Sequence, residues 1–481
     1  MEILKLNKQK CNEPKFDELY EMISGLETFL DEEPDFNDFL WYKNLSEILD
    51  FQDHDGSFKL FEAYDIPSDA RVDFCYWPTY LCTAILIKAF LTDSKSFTPK
   101  AKLGLLKGLE ASCAKNLRGH GYEAFKGQID ALNIFIKSGL NEFIDLYPGL
   151  CPQFSEMINK ITSQFEEKLS NEDFLGPWGE SYEADIKAIN EYFCQRQVFV
   201  YGTLLSGEAN HHYLKNSTCL GNAYIEGYDL YDVGYYPAIV AGDGLVIGEL
   251  YRVSKEDLPS IDRLEGEGTL YAKRCERVIL NGNATFAFTY IYLRDVTGLE
   301  RIPAWKDDYV WYVSYGSNML KERFLCYIEG GSYEGSRYHP PCEDTSHPIA
   351  VKAIDIPFDM YFANHSGSWE NAGVSFLDTT KKGKALGVAY LITREQFRHV
   401  AAQENCGRYP QEDESYGWYE NIINLGTKDG FEVKTITNRS LRPYNKPCQA
   451  YRNTLFKGIR ENWPEKSDKE IEDYLDDCIR G

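Results

Sequence analysis

The sequence predicts a multidomain α+β protein, with an all-α domain first and two β-rich units after it. Three observations carry this. The chain has 481 residues, too many for one ordinary core. Apolar residues recur at helical spacing as far as about residue 195. Beyond that point short β-branched and aromatic runs alternate with Gly, Asn and Asp turns, a strand pattern that restarts near residue 308.

The helical reading rests on FDELYEMISGLETFL, on YLCTAILIKAFL from Tyr80, and on IDALNIFIKSGLNEFI. Turn-forming pieces separate them: DHDGSF from Asp53, RGHGYE from Arg118 and LYPGLCP from Leu146. The Tyr80 window is apolar over 12 residues and contains Lys88, which suits a buried helix and is too short to span a bilayer. The glycine-turn hairpins loosely resemble the repeats of α/α-toroid proteins. His120, Asp73, Tyr76 and Trp77 read as turn, packing and surface residues. The strand runs are FVYG, AIVAGDG, LVIGELYRV, RCERVIL and FAFTYIYL, then VWYVSYGSNM, MYFANHSG, AGVSFLD and ALGVAYLI. SDKEIEDYLDDCIRG closes the chain as a helix that starts at Ser467. The expected boundaries are 1–195, 196–300, 308–440 and a helical tail over 441–481.

Composition bounds the function. Lys plus Arg number 51 against 75 Asp plus Glu, a net charge of −24, which repels phosphate backbones and anionic lipid. Neither nucleic acid nor membrane is an expected partner. The 13 cysteines are scattered and form no CxxC pair, so no structural zinc site is expected. MEILKLNKQK has no apolar run of the secretory kind, and the reading is a reducing, cytoplasmic setting. His211 and His212 are adjacent, so their side chains diverge and no metal site is predicted there; EGEGTL lacks the lysine of a phosphate loop. No cofactor is expected.

The two β-rich units share an order. Each opens on a strand ending in Tyr-Gly followed by Thr or Ser, and each later runs GELYRVS or GVAYLIT straight into a short helix. Aligning Tyr201 with Tyr315 sets an offset of 114, and aligning Glu265 with Glu404 sets one of 139. An insertion of 25 residues before the second helix accounts for the difference. The pair reads as a divergent tandem duplication.

A turn after a buried strand gathers main-chain N–H groups into a concavity that suits an anion or oxyanion, and glycine lets a ligand approach it closely. SIDRLEGEG places Glu265 at the end of an amphipathic helix. A carboxyl beside an apolar face can have its pKa raised towards neutrality, as a general acid/base requires.

Together, VFVYGTLLSGEAN, GYDLYDVGYYPAIV, VIGELYRVSKEDLPSIDRLEGEG and LYAKRCERVIL resemble the short, AIG2-like (γ-glutamylamine cyclotransferase) branch of the γ-glutamylcyclotransferase-like family. YVSYGSNM, FANHSGSWENAGVSFLD and ALGVAYLITREQFRHVAAQEN resemble its longer branch. The resemblance covers about residues 197–440. It implies two mixed β-barrel domains of the cyclotransferase fold. Catalytic glutamates would fall on Glu265 and Glu404, and substrate-binding loops on Tyr201, Gly202, Thr203, Leu204 and on Tyr315, Gly316, Ser317, Asn318. Tyr271 and Arg274 follow in the expected strand. The second copy departs from the pattern, with Asn405 in place of the glycine after the glutamate.

The implied reaction releases 5-oxoproline and an amine from a γ-glutamyl amine, amide or peptide by intramolecular aminolysis, with one carboxylate moving the protons and no metal. Two alternatives stand beside it: a non-catalytic protein that binds glutamyl or peptide ends, and an amidotransferase or hydrolase on the same fold. The helical domain would recruit a peptide or protein partner.

Overall fold

The computed structural model describes residues 16–58, 71–117, 124–176, 179–306, 308–334, 337–411 and 417–480. His120 and the RGHGYE segment lie outside these, as does the side chain of Asp73.

The described residues up to 194 fold as the spacing predicts, into helices α1 (Phe16–Asp31), α2 (Phe39–Asp50), α3 (Arg71–Thr92), α4 (Pro99–Ala114), α5 (Ala124–Ile136), α6 (Leu140–Leu146), α7 (Pro152–Ser170) and α8 (Glu183–Cys194). The apolar Tyr80 window is the central part of α3, where Tyr80, Leu81 and Leu86 are fully buried. Lys88 lies in this core because its ammonium finds acceptors: Nζ donates to the carbonyls of Leu30 at 2.9 Å and Glu32 at 2.8 Å, at the C-terminal end of α1. Cations are favoured there by the unpaired carbonyls of the last turn. Among the described residues no helix is long and apolar enough to cross a membrane.

The first β-unit comprises β1 (Gln195–Val200), β2 (Thr218–Asp232), β3 (Pro237–Ser254), α9 (Leu258–Glu265), β4 (Tyr271–Leu280), β5 (Asn283–Tyr292) and β6 (Glu300–Ile302). Strand β1 pairs antiparallel with β3 and parallel with β5; the order continues through β4 and β2. Because β2 is 15 residues long it pairs with β3 along most of its length and also reaches β4, at Ala223–Leu280 and Tyr224–Ile279. That second pairing closes five strands into a barrel, and β6 adds at the end of β2.

The second unit comprises β7 (Tyr309–Ser314), α10 (Lys321–Glu329), β8 (Ala350–Ile356), β9 (Asp359–Ser366), β10 (Ala372–Asp378), β11 (Ala385–Thr393), α11 (Arg394–Glu404), β12 (Asn421–Lys428) and β13 (Phe431–Thr437). Its five-stranded sheet runs β12-β13-β7-β11-β8, matching β4-β5-β1-β3-β2 of the first unit strand for strand. The register repeats as well: Val198 faces Tyr251 in the first unit and Tyr312 faces Tyr390 in the second, the residues given by offsets of 114 and 139.

The expected second barrel is corrected here. Among the described residues β8 and β12 do not pair, and the sheet is open. Strand β8 has seven residues, too few to serve two neighbours as β2 does. Much of the extra length forms the separate β9–β10 hairpin.

The tail is also more than an appendage. Helices α12 (Gln449–Asn462) and α13 (Asp468–Arg480) bury Tyr451, Leu455, Ile459, Ile471 and Leu475 in the second unit's core. That core takes in Tyr224, Leu245, Ile247 and Ile279 of the first unit, so the two β-units share apolar contacts. Lys352 ties them further by its ion pair to Glu226 at 2.9 Å. Helix α6 docks against the first unit. Asp145 takes a bidentate pair from the buried Arg196 at 2.6 and 3.1 Å, and Asn141 Nδ2 donates to the Gln195 carbonyl of β1 at 3.3 Å.

Candidate active site

Strand β1 ends at Val200, and the chain leaves the sheet through Tyr201, Gly202, Thr203 and Leu204. Tyr201 is buried and its hydroxyl donates to the Tyr290 carbonyl on β5 at 2.5 Å, which pins the start of the turn. Gly202 is required by close approach, since a Cβ there would stand 2.5 Å from Cγ of Pro237 at the head of β3. The Leu205 N–H donates to the Gly202 carbonyl and the Asn210 N–H to the Thr203 carbonyl, each at 2.9 Å. Neither bond uses the N–H of Gly202, Thr203 or Leu204. Glu249 and Tyr251 on β3 hold Ser206 just beyond, at 2.8 Å each.

Glu265 arrives from the other side. Its helix α9 buries Leu258 and Ile261, and stops where Gly266 takes a left-handed conformation (φ 60°), which a glycine C′ residue allows at little cost. Glu265 and the Tyr201–Leu204 turn line one cleft, together with Tyr236, Pro237, Tyr271 and Tyr290. Among the described residues no Lys, Arg or His lines it. Lys273, nearby on β4, is paired with Asp262 at 2.9 Å. The tyrosine hydroxyls are directed elsewhere: Tyr271 donates to the Pro237 carbonyl at 2.6 Å and Tyr290 to Asp262 at 2.7 Å. Burial alone therefore acts on Glu265, and it pushes the carboxyl up to about 7. Burial, and after it the charge of Glu265, raises the Tyr271 hydroxyl.

The second unit repeats the construction with different chemistry. Tyr315 donates to the Ile436 carbonyl on β13 at 2.8 Å, as Tyr201 does to β5. Gly316 lies 3.1 Å, measured from its would-be Cβ, from the Tyr451 hydroxyl of α12. Glu404 ends α11 and shares a cleft with Tyr315, Gly316, Ser317 and Asn318, walled further by Ser375, Tyr419 and Tyr451. The clefts are small and alike, about 40 Å³ in the second unit and about 30 Å³ in the first, so size does not separate them; the polar groups do. Asn318 Nδ2 donates to Glu404 Oε1 at 2.7 Å, whereas the matching residue of the first unit is Leu204. Burial raises the Glu404 pKa, and the Tyr327 hydrogen bond, the Arg323 charge and the Asn318 bond oppose it. Asn405 is buried after Glu404, accepting from the Trp418 N–H at 2.8 Å.

Every residue singled out from the sequence as catalytic or substrate-binding thus lines one of two clefts. The turn and glutamate were accessible from sequence because each is local. Tyr236, Pro237 and Tyr290 in the first cleft, and Ser375, Tyr419 and Tyr451 in the second, were missed. The GYYP turn signal could have drawn attention to the first two; Tyr451 is brought in by tertiary packing alone. His211 and His212 use Nδ1 on the carbonyls of Leu204 and Ala209, and no metal-binding cluster occurs among the described residues.

Comparison with known proteins places the first cleft in context. Residues 198–309 match the family described as gamma-glutamyl cyclotransferase, AIG2-like. The gamma-glutamylcyclotransferase family protein YtfP of Escherichia coli K12 is 36% identical over 113 residues, covering 23% of this chain and 96% of YtfP. The gamma-L-glutamyl-butirosin B gamma-glutamyl cyclotransferase of Niallia circulans is 39% identical over 116 residues, covering 23% of this chain and 74% of that protein. Histone deacetylase 5 of Arabidopsis thaliana is 29% identical over 203 residues, covering 35% of this chain; the chain spans only 31% of that protein's length. By the segment that builds the Glu265 cleft, the chain belongs to the gamma-glutamyl cyclotransferase, AIG2-like family.

Proposed function

We propose that the Glu265 cleft converts a γ-glutamyl amine, amide or peptide into 5-oxoproline and the free amine. The observation that carries this reading is the shared cleft, which one carboxyl held near neutrality lines together with the Tyr201–Leu204 turn. The α-amine nitrogen of the substrate bonds to its own γ-carbonyl carbon, and the bond from that carbon to the departing nitrogen breaks. Glu265 as carboxylate takes a proton from the attacking nitrogen and returns it to the leaving one. No water is consumed. Nucleophile and electrophile are tethered in one molecule, so the work left to the protein is to fold the substrate and move protons. Turn amides at Gly202, Thr203 and Leu204 hold the substrate carboxylate or the developing oxyanion, with Tyr271 as a wall of the pocket.

The test is product identity. Full-length protein is given a panel of γ-glutamyl amines, amides and peptides, and products are read by mass spectrometry. 5-Oxoproline with the free amine supports the reading. Free glutamate identifies a hydrolase and a new γ-glutamyl conjugate an amidotransferase.

The second unit is proposed to be a divergent copy whose cleft binds a glutamyl-like group with little or no turnover. Asn318 and Tyr327 occupy Glu404, which makes it a poorer proton carrier than Glu265. Glu404→Gln therefore leaves product formation intact; a matching loss would make Glu404 a second catalytic residue.

A further inference from the structure

A second carboxylate lies close to the cleft and is unused by the proposed reaction. Asp262 and Glu265 are three positions apart on α9 and so share a face of that helix. Tyr290 of β5 is buried and lines the Glu265 cleft, yet its hydroxyl donates to Asp262 Oδ1 at 2.7 Å. Lys273 stands directly across from Tyr290 on β4 and donates to Oδ2 of the same carboxylate at 2.9 Å. Its ammonium also sits over the Phe288 ring, 5.4 Å from the centroid. Strand register and an ion pair thus fix Asp262 where it can hold the phenol.

Two other phenols of the cleft are committed without help from a side chain. Tyr201, at the end of β1, donates to the Tyr290 carbonyl, and Tyr271 of β4 donates to the Pro237 carbonyl. Tyr236, in the turn before β3, meets Tyr271 through its ring at 6.3 Å. The charged groups nearest the cleft are Asp262 and Lys273, paired with each other, and Glu267, exposed beyond the end of α9. Tyr290 is therefore the donor whose direction depends on a carboxylate. The charge of Glu265 acts on its hydroxyl as well, after burial and the Asp262 bond.

We propose that Asp262 is a positioning residue for the Glu265 reaction: by holding the Tyr290 hydroxyl it keeps that donor off Glu265 and leaves the carboxylate free to exchange protons with substrate. The inference rests on the reading of Glu265 as the proton carrier. A hydrogen bond given to a carboxylate favours its charged form and makes it a weaker base. Without Asp262 the phenol would do to Glu265 what Asn318 does to Glu404.

The test is a double-mutant cycle, read by carboxyl carbon-13 NMR titration of Glu265 in the full-length chain. Asp262→Ala removes a negative charge along with the acceptor, and the lost repulsion lowers the Glu265 midpoint in any background. The cycle isolates the part that belongs to the hydroxyl. With Tyr290 present the fall should exceed that in the Tyr290→Phe background by about one unit. The acid limb of kcat/KM for 5-oxoproline release should move with it. Asp262→Leu, branched at the same carbon and unable to accept a hydrogen bond, gives the same cycle where Asp262→Ala does not fold. Equal shifts in the two backgrounds would overturn the proposal, because a structural or purely electrostatic role moves both alike. The titration needs no turnover, so its outcome is separable from that of the product assay.

Discussion

The two β-units share strand order, register and the position of a glutamate at the end of a helix, yet they solve the surroundings of that glutamate in opposite ways. In the first, a long β2 closes the barrel and the carboxyl sits among tyrosine rings whose hydroxyls are engaged elsewhere. In the second, the sheet stays open, α12 supplies Tyr451 as a wall, and Asn318 and Tyr327 reach the carboxyl directly. The difference teaches that one fold can hold a glutamate carboxyl by burial alone or within a polar set made by Tyr327, Arg323 and Asn318.

Substituting the turn glycines should separate the units most strongly. Gly202→Val drives a side chain into the Pro237 ring and should lower product formation by about a hundredfold, in line with misplacement of a positioning loop. Gly316→Ala meets the Tyr451 hydroxyl at 3.1 Å and Ser375 at 3.6 Å, and should leave the same assay unchanged. An equal loss from both would break the assignment of turnover to the first cleft.

Tyr451→Ala should destabilise the protein by about 3–5 kcal/mol, as for large aromatic truncations, because it also strips Ser375 of its bonds to the hydroxyl. Denaturant unfolding measures it. Removal of residues 441–481 as a dispensable tail is excluded by the same contacts.

Charge at the helical docking surface gives a third effect. Burial raises Glu142 on α6 to about 7 from an ordinary 4.5. A carboxyl with a raised folded pKa favours the folded state less as pH climbs from about 4.5 to about 7, after which the loss is complete. Glu142→Gln should therefore leave stability little changed at pH 4.5 and raise it by about 1–3 kcal/mol at pH 8. Melting curves at the two pH values read this directly.

The subtlest change exchanges the neighbours. Leu204→Asn offers Glu265 the donor that Glu404 has, and should lower its pKa from about 7 by about one unit; Asn318→Leu should raise that of Glu404. Carboxyl carbon-13 NMR titration would follow both, and unchanged values would remove the residue after the turn as the cause of the contrast.

Much of this was legible in the sequence for a physical reason. Tyr201-Gly202-Thr203 and Leu264-Glu265-Gly266 are local signals, a strand that must turn and a helix that must stop. The offsets of 114 and 139 became strand register because each is constant along one strand, 114 from β1 to β7 and 139 from β3 to β11. Barrel closure was illegible, since it depends on whether β8 is long enough to serve two neighbours. The walls at Tyr290 and Tyr451 were illegible because the fold brings them in from strands and helices distant along the chain.

The central claim is that Glu265 moves the protons of cyclisation. The most direct measurement is 5-oxoproline release by Glu265→Gln beside the wild type, with melting temperature recorded at pH 8 for both. The account predicts a fall of about 10²–10⁴-fold with a folded variant that is as stable as the wild type or more so, because a costly buried charge has been removed. Release at the wild-type rate from that folded variant would contradict it.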